Sequence, residues 1–148
     1  LLERKNFSTA DFKMLHPGGK LGQRLMKVSD IMHSGDEIPL ACPDTEMSEV
    51  ILEMTAKRFG CVGVLDDDGR LLGMITDGDL RRHMGDTILG SRAADIMTQG
   101  SRTIGPDALV SEALSVMNML SITNLFVVDK IFPVGIIHIH DCLRAGVA

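Results

Sequence analysis

The chain has 148 residues, a formal net charge of −5 and 45% hydrophobic side chains. That length suits one compact domain or two tightly paired half-domains. The acidic balance excludes the broad basic field of a nucleic-acid-binding surface, though a local basic cluster can still hold a phosphate. Trp and Tyr are absent and only five Phe occur, so the core is aliphatic, with ten Met as irregular filler.

The three cysteines, Cys42, Cys61 and Cys142, show no CxxC spacing. They read as buried free thiols of a reducing compartment, and the expected location is cytoplasmic. Apolar runs are far too short to span a membrane, and no signal-peptide pattern opens the chain. It begins without Met, in Leu-Leu-Glu-Arg-Lys, as a piece of a longer protein would. Expected partners therefore exclude nucleic acid and membrane.

Residues 1–27 read as a linker. His16-Pro-Gly-Gly-Lys-Leu-Gly22 cannot sit inside a helix or a central strand. Leu21 to Val28 suits a short helix. After Asp30-Ile-Met32 comes a polar loop, then an extended piece, Ile38 to Cys42. Asp44 or Thr45 opens a helix whose apolar positions are Met47, Val50, Ile51 and Met54, with Gly60 as its stop. Cys61 to Leu65 reads as a buried strand. Asp67-Asp68-Gly69 reads as a hairpin turn, Leu71 to Ile75 as the paired strand and Thr76 to Met84 as a closing helix.

The same order then returns. Asp30-Ile-Met32 matches Asp95-Ile-Met97 at an offset of 65. Pro43-Asp44 matches Pro106-Asp107 at 63, and Gly73 matches Gly135 at 62. The second helix carries Val110, Ala113, Leu114 and Met117. The second strands are Asn124 to Val128 and Val134 to His138, with a closing helix near Asp141. Self-similarity at a fixed period means two homologous units that pack on each other. Their expected bounds are 28–84 and 93–145. The expected fold class is α/β (α+β), each unit strand–helix–strand–strand–helix, the two related by a pseudo-twofold axis.

The candidate chemistry lies where each last strand meets its helix. Thr76-x-x-Asp79 at a helix start can bind an anion and a ribose diol, with Arg81 and Arg82 adding charge for a phosphate. The same spacing is also a capping box that merely closes the helix. The second copy keeps Asp141 and Arg144 but places His138 where Thr76 stands. His138 and His140 at i, i+2 are not joined by a Cys or acid cluster, so no metal site is expected.

A repeat of this size, with Gly-hydrophobic-hydrophobic-Thr-x-x-Asp at its last junction, resembles the cystathionine β-synthase (CBS) domain, and residues 28–144 resemble a CBS pair. The resemblance implies a cleft between repeats that binds an adenine nucleotide or a related ligand. It implies ligand-binding roles for Thr76, Asp79, Arg82, His138 and Asp141. The base would sit against Pro39, Leu40, Cys61, Val62 and Gly63, positions whose plain reading is core. Asp79→Ala is expected to abolish ligand binding while leaving the fold intact.

His16-Pro-Gly-Gly together with Thr76-Asp-Gly-Asp-Leu-Arg-Arg82 further resembles bacterial D-arabinose 5-phosphate isomerases. Those enzymes carry a sugar isomerase (SIS) domain before a CBS pair and act on the route to the lipopolysaccharide sugar Kdo. The resemblance implies a covalently attached SIS domain to which His16 contributes, and no catalysis by this chain itself. It implies a nucleotide effector (AMP, ATP or a cytidine nucleotide such as CMP-Kdo), no required cofactor, and a homodimer. The alternative is a ligand-free module that dimerises and orients the isomerase domains.

Overall fold

The computed structural model describes residues 25–85 and 87–147. His16 and nearly all of the expected linker lie outside them. Of the helix expected over Leu21 to Val28, residues 21–24 lie outside the described residues; Leu25 to Lys27 are not helical, and α1 (Val28–Ile31) begins at its last position. The first repeat continues through β1 (Leu40–Ala41), α2 (Met47–Lys57), β2 (Cys61–Leu65), β3 (Leu71–Thr76) and α3 (Asp77–Arg82). The second follows as α4 (Ala93–Ile96), β4 (Thr98–Gln99), β5 (Thr103–Ile104), α5 (Val110–Leu120), β6 (Asn124–Asp129), β7 (Phe132–His138) and α6 (Ile139–Arg144). One sheet has the order β1-β2-β3-β4 and the other β5-β6-β7. In each, the first short strand is parallel to its neighbour and the long pair is antiparallel.

The helix period translates directly into burial. Met47, Val50 and Met54 of α2 are buried, as are Val110, Ala113, Leu114 and Met117 of α5. Helix α2 begins at Met47, later than the Asp44 or Thr45 expected. The backbone before it is occupied with other partners: the Thr45 carbonyl accepts from Ala93 N–H at 2.8 Å and Pro43 from Ala94 at 3.0 Å. It ends at Arg58, not Gly60, with Arg58 in the left-handed region at φ 68°. Ser121, 63 residues on, ends α5 the same way at φ 57°. Gly60 is also left-handed, but it belongs to the following turn.

The two packed units are not the two sequence repeats. Val28 of α1 is buried in the second repeat's core with Leu125, Val127 and Ile137. Ala93 and Ile96 of α4 are buried in the first repeat's core with Val50, Val62 and Ile75. Each repeat thus lends its opening segment to the other. The exchange is symmetric: Val28 N–H bonds to Ala108 O and Ser29 N–H to Pro106 O, mirroring Ala93 to Thr45 and Ala94 to Pro43.

The exchange also explains the repeated glycines. Strand β3 pairs with β4 through Gly73↔Gln99 and Met74↔Thr98. A Cβ on Gly73 would stand 2.6 Å from the Thr98 carbonyl oxygen. A Cβ on Gly135 would stand 2.5 Å from Met32 Sδ and 2.8 Å from the His33 carbonyl oxygen. Close backbone approach, not unusual φ, requires glycine there.

A third apolar cluster joins the units: Ile38, Cys61, Met74, Phe126 and Ile136. Gly63 and Phe126 occupy matching positions, and a Cβ on Gly63 would meet the Phe126 ring at 2.9 Å. One repeat leaves out the side chain that makes room for the other's aromatic ring. Cys61 and Cys142 are buried as expected, whereas Cys42 is exposed. Burial pushes the Cys61 thiol up to about 12 and that of Cys142 to about 11, aided by Asp77 and Asp141 respectively.

Candidate ligand-binding cleft

Thr76 ends β3 in extended conformation and caps α3. Its hydroxyl accepts from Asp79 N–H at 3.3 Å, and Asp79 Oδ2 accepts from Thr76 N–H at 2.9 Å. This is a complete capping box. Asp79 Oδ1 accepts from Thr98 Oγ1 at 2.8 Å and from Arg82. Asp79 is only 2% exposed. Burial works against its charge, but the hydrogen bonds from Thr98, Thr76 and Arg82 outweigh it and hold the carboxyl below the usual range. Asp77 N–H bonds to Gly60 O. The start of α3 is therefore largely satisfied from within, and anion binding here falls to side chains.

The second copy repeats this frame with different chemistry. Asp141 Oδ2 accepts from His138 N–H at 2.9 Å, and Oδ1 accepts from Arg144 Nη2 at 2.6 Å. His33 Nε2 lies 3.1 Å from both oxygens of Asp141, and its Nδ1 lies 2.6 Å from Glu37. The His33 ring also meets Phe59 edge-on at 5.1 Å. Partial burial disfavours the imidazolium, yet Asp141 and Glu37 outweigh it and raise the His33 pKa. His138 goes the other way: burial and the neighbouring His140 lower it. Its Nδ1 caps α6 by accepting from His140 N–H at 3.1 Å, a role open only to the neutral ring.

An open cleft of about 760 Å³ lies between the repeats. Thr76, Asp77, Asp79 and Thr98 form one wall; Ile122, Thr123, Asn124 and His138 form the facing wall. Phe59, Met74, Leu120 and Ile122 give it apolar surface. Arg58, Arg81, Arg82 and Arg102 ring it. Arg82 is paired with Asp79, but Arg58, Arg81 and Arg102 have no carboxylate partner among the described residues. In a chain of net charge −5, this is a local cationic rim. The volume falls within the range of small-molecule sites.

A family model described as "CBS domain" matches residues 28–86 and 93–148. The chain belongs to the CBS-domain family. It is 43% identical to the arabinose 5-phosphate isomerase KdsD of Yersinia pestis and 42% identical to that of Escherichia coli K12, over 99% of this chain in both cases. It is 47% identical to the uncharacterised protein RP505 of Rickettsia prowazekii. The chain spans about half the length of these relatives, 46% in each case. Among solved structures, CBSX2 in complex with AMP superposes with a TM-score of 0.71 at 22% identity, covering 82% of this chain and 96% of that one. The CBS pair of MJ0100, in complex with 5′-methylthioadenosine and S-adenosylmethionine, gives 0.72 at 23%, covering 81% and 94%. The fold is that of a CBS pair.

Within this CBS pair, Thr76, Asp79, Arg82 and His138 come together at the cleft. Asp141 does not line it and is held by His33. None of the residues expected to meet the base lines this cleft. Cys61 and Val62 are fully buried, and Gly63 is packed under Phe126. Pro39 is buried with its carbonyl bonded to Gly63 N–H, and Leu40 N–H is bonded to Glu53. Cys61 to Val64 are all buried, so the residues just before β2, Arg58 to Gly60, line the cleft instead. Thr98 and His33 escaped the sequence reading. Extending the Asp-Ile-Met match by one residue would have paired them.

Proposed function

We propose that this CBS pair binds a nucleotide in the cleft beside Thr76 and regulates an attached D-arabinose 5-phosphate isomerase domain. The observation that carries this is the rim of three arginines, Arg58, Arg81 and Arg102, with no carboxylate partner among the described residues, over a partly apolar cleft. Guanidinium groups suit phosphate, and Phe59, Met74 and Ile122 suit a base. The KdsD relatives, twice as long, support a linked isomerase on the route to Kdo. The structures with AMP and S-adenosylmethionine support a nucleotide of this class. AMP, ATP and the downstream cytidine nucleotide CMP-Kdo are the candidates. Regulation follows if the ligand prefers one arrangement of the repeats over another.

The test is a thermal shift by calorimetry or dye, since Trp and Tyr are absent. A ligand that binds only the folded chain raises the midpoint. Arg58→Glu combined with Arg102→Glu should remove the shift and leave the unliganded midpoint nearly unchanged, because both residues are exposed. One observation favours a second reading, a ligand-free module that dimerises and orients the isomerase domains: Asp79 and Asp141 are already fully engaged. Millimolar AMP, ATP, CMP and CMP-Kdo all failing to shift the midpoint would select that reading.

A further inference from the structure

The two helix ends share a frame but are closed by different groups. At the offset of 65, His33 stands in the second copy where Thr98 stands in the first. Thr98 meets Asp79 with one hydroxyl, which rotates and can accept as well as donate. His33 sets a ring 3.1 Å from both oxygens of Asp141, is held from behind by Glu37, and rests edge-on against Phe59. The open cleft reaches Asp79 and Thr98 and runs to His138, but its lining does not extend to His33, Asp141 or Arg144.

We propose that the junction at Asp141 is a nucleotide-type site sealed by the chain's own His33, so that one CBS pair takes one nucleotide. This rests on the nucleotide reading above and adds the stoichiometry and the residue that sets it. A ribose diol needs acceptor positions on the carboxylate. At Asp141, Arg144 and the His138 amide take one oxygen each, and the imidazole covers both. At Asp79, Arg82 and the Thr76 amide take the same two places, but turning the Thr98 hydroxyl away frees a position on Oδ1. At Asp141, a ligand must break a charge-assisted contact, release the Glu37 anchor and part His33 from Phe59 together. Imidazole is also bulkier than a hydroxyl, so His33 covers more of Asp141 than Thr98 covers of Asp79.

The test is a calorimetric titration of the chain with AMP and with ATP. Wild type should take one nucleotide per chain. His33→Thr, which copies the Thr98 arrangement, should take two, with the fold checked by far-UV circular dichroism. Two sites in wild type, or one site in folded His33→Thr, overturns the seal. If wild type binds neither probe, the nucleotide reading of the open cleft fails, and the variant still decides: a binding event that appears only in His33→Thr supports the seal, and none overturns it. Should His33→Thr not fold, Glu37→Gln removes the outer anchor at an exposed position; a weaker second site should then appear, and its absence overturns the proposal.

Discussion

Gly73→Ala tests whether close approach between the exchanged segment and β3 shapes this fold. The new methyl would stand 2.6 Å from the Thr98 carbonyl oxygen and 3.3 Å from Met97 Sδ. The thioether can move; the carbonyl cannot, because Thr98 is paired with Met74 and its hydroxyl holds Asp79. Overpacking of this kind costs about 1–3 kcal/mol. Loosening the β3–β4 pairing adds about 0.5–1.5 kcal/mol per hydrogen bond. The reduced entropy of the unfolded chain returns about 0.4–1 kcal/mol. For one such bond a net loss of roughly 0.5–4 kcal/mol follows, or a midpoint lower by about 2–15 °C for a domain of this size. Urea unfolding followed by far-UV circular dichroism reads it directly. Gly105→Ala is the control, since nothing lies within 4 Å of its Cβ position. It should stay within about 0.5 kcal/mol of wild type. Gly73→Ala that matches this control would refute the argument, and the same reasoning for Gly135 would fall with it.

Four further outcomes are expected. His33 has a raised pKa and Asp141 a lowered one, so their pairing contributes fully below the ordinary histidine value of 6.5 and above the ordinary carboxylate value of 3.8. That contribution fades as pH rises through the raised His33 value, and as pH falls through the lowered Asp141 value. Denaturant midpoints should therefore fall less from about pH 6 to about pH 9 in His33→Gln than in wild type; equal slopes would contradict the pairing. His138 has the opposite sign, so NMR titration should place His33 above and His138 below the ordinary value. Asp79→Ala leaves Thr98, Arg82 and the Thr76 amide without their acceptor. It should destabilise by about 2–4 kcal/mol, and an unchanged urea midpoint would contradict this. Asn124→Leu removes the 2.7 Å donation from Nδ2 to the Phe59 carbonyl in a buried setting and should cost about 1–3 kcal/mol by the same assay.

Much of this was legible in the residues because it is local. The spacing of Met47, Val50 and Met54, the strand pairs around Gly63 and Phe126, and the Thr76-x-x-Asp79 cap are all short-range patterns. The repeat doubled each signal. The helix ends were less legible. Arg58 and Ser121 adopt left-handed backbone without glycine, and residues 43–46 are drawn from α2 into pairing with α4. Which apolar residues face the cleft was illegible for a related reason: a buried apolar strand and an apolar cleft wall look alike in sequence, and only packing separates Cys61 from Phe59.

By itself the sequence determined two copies of one strand–helix plan, their core faces and the capped junction that closes each. Tertiary structure alone decided that α1 packs on the second repeat and α4 on the first, because two similar cores can each accept either segment and only long-range pairing chooses. That choice brings Thr98 to Asp79 and His33 to Asp141. The copies thus share one backbone frame, while the exchanged segments set the chemistry of the two junctions, one beside an open cleft and one held by an ion pair.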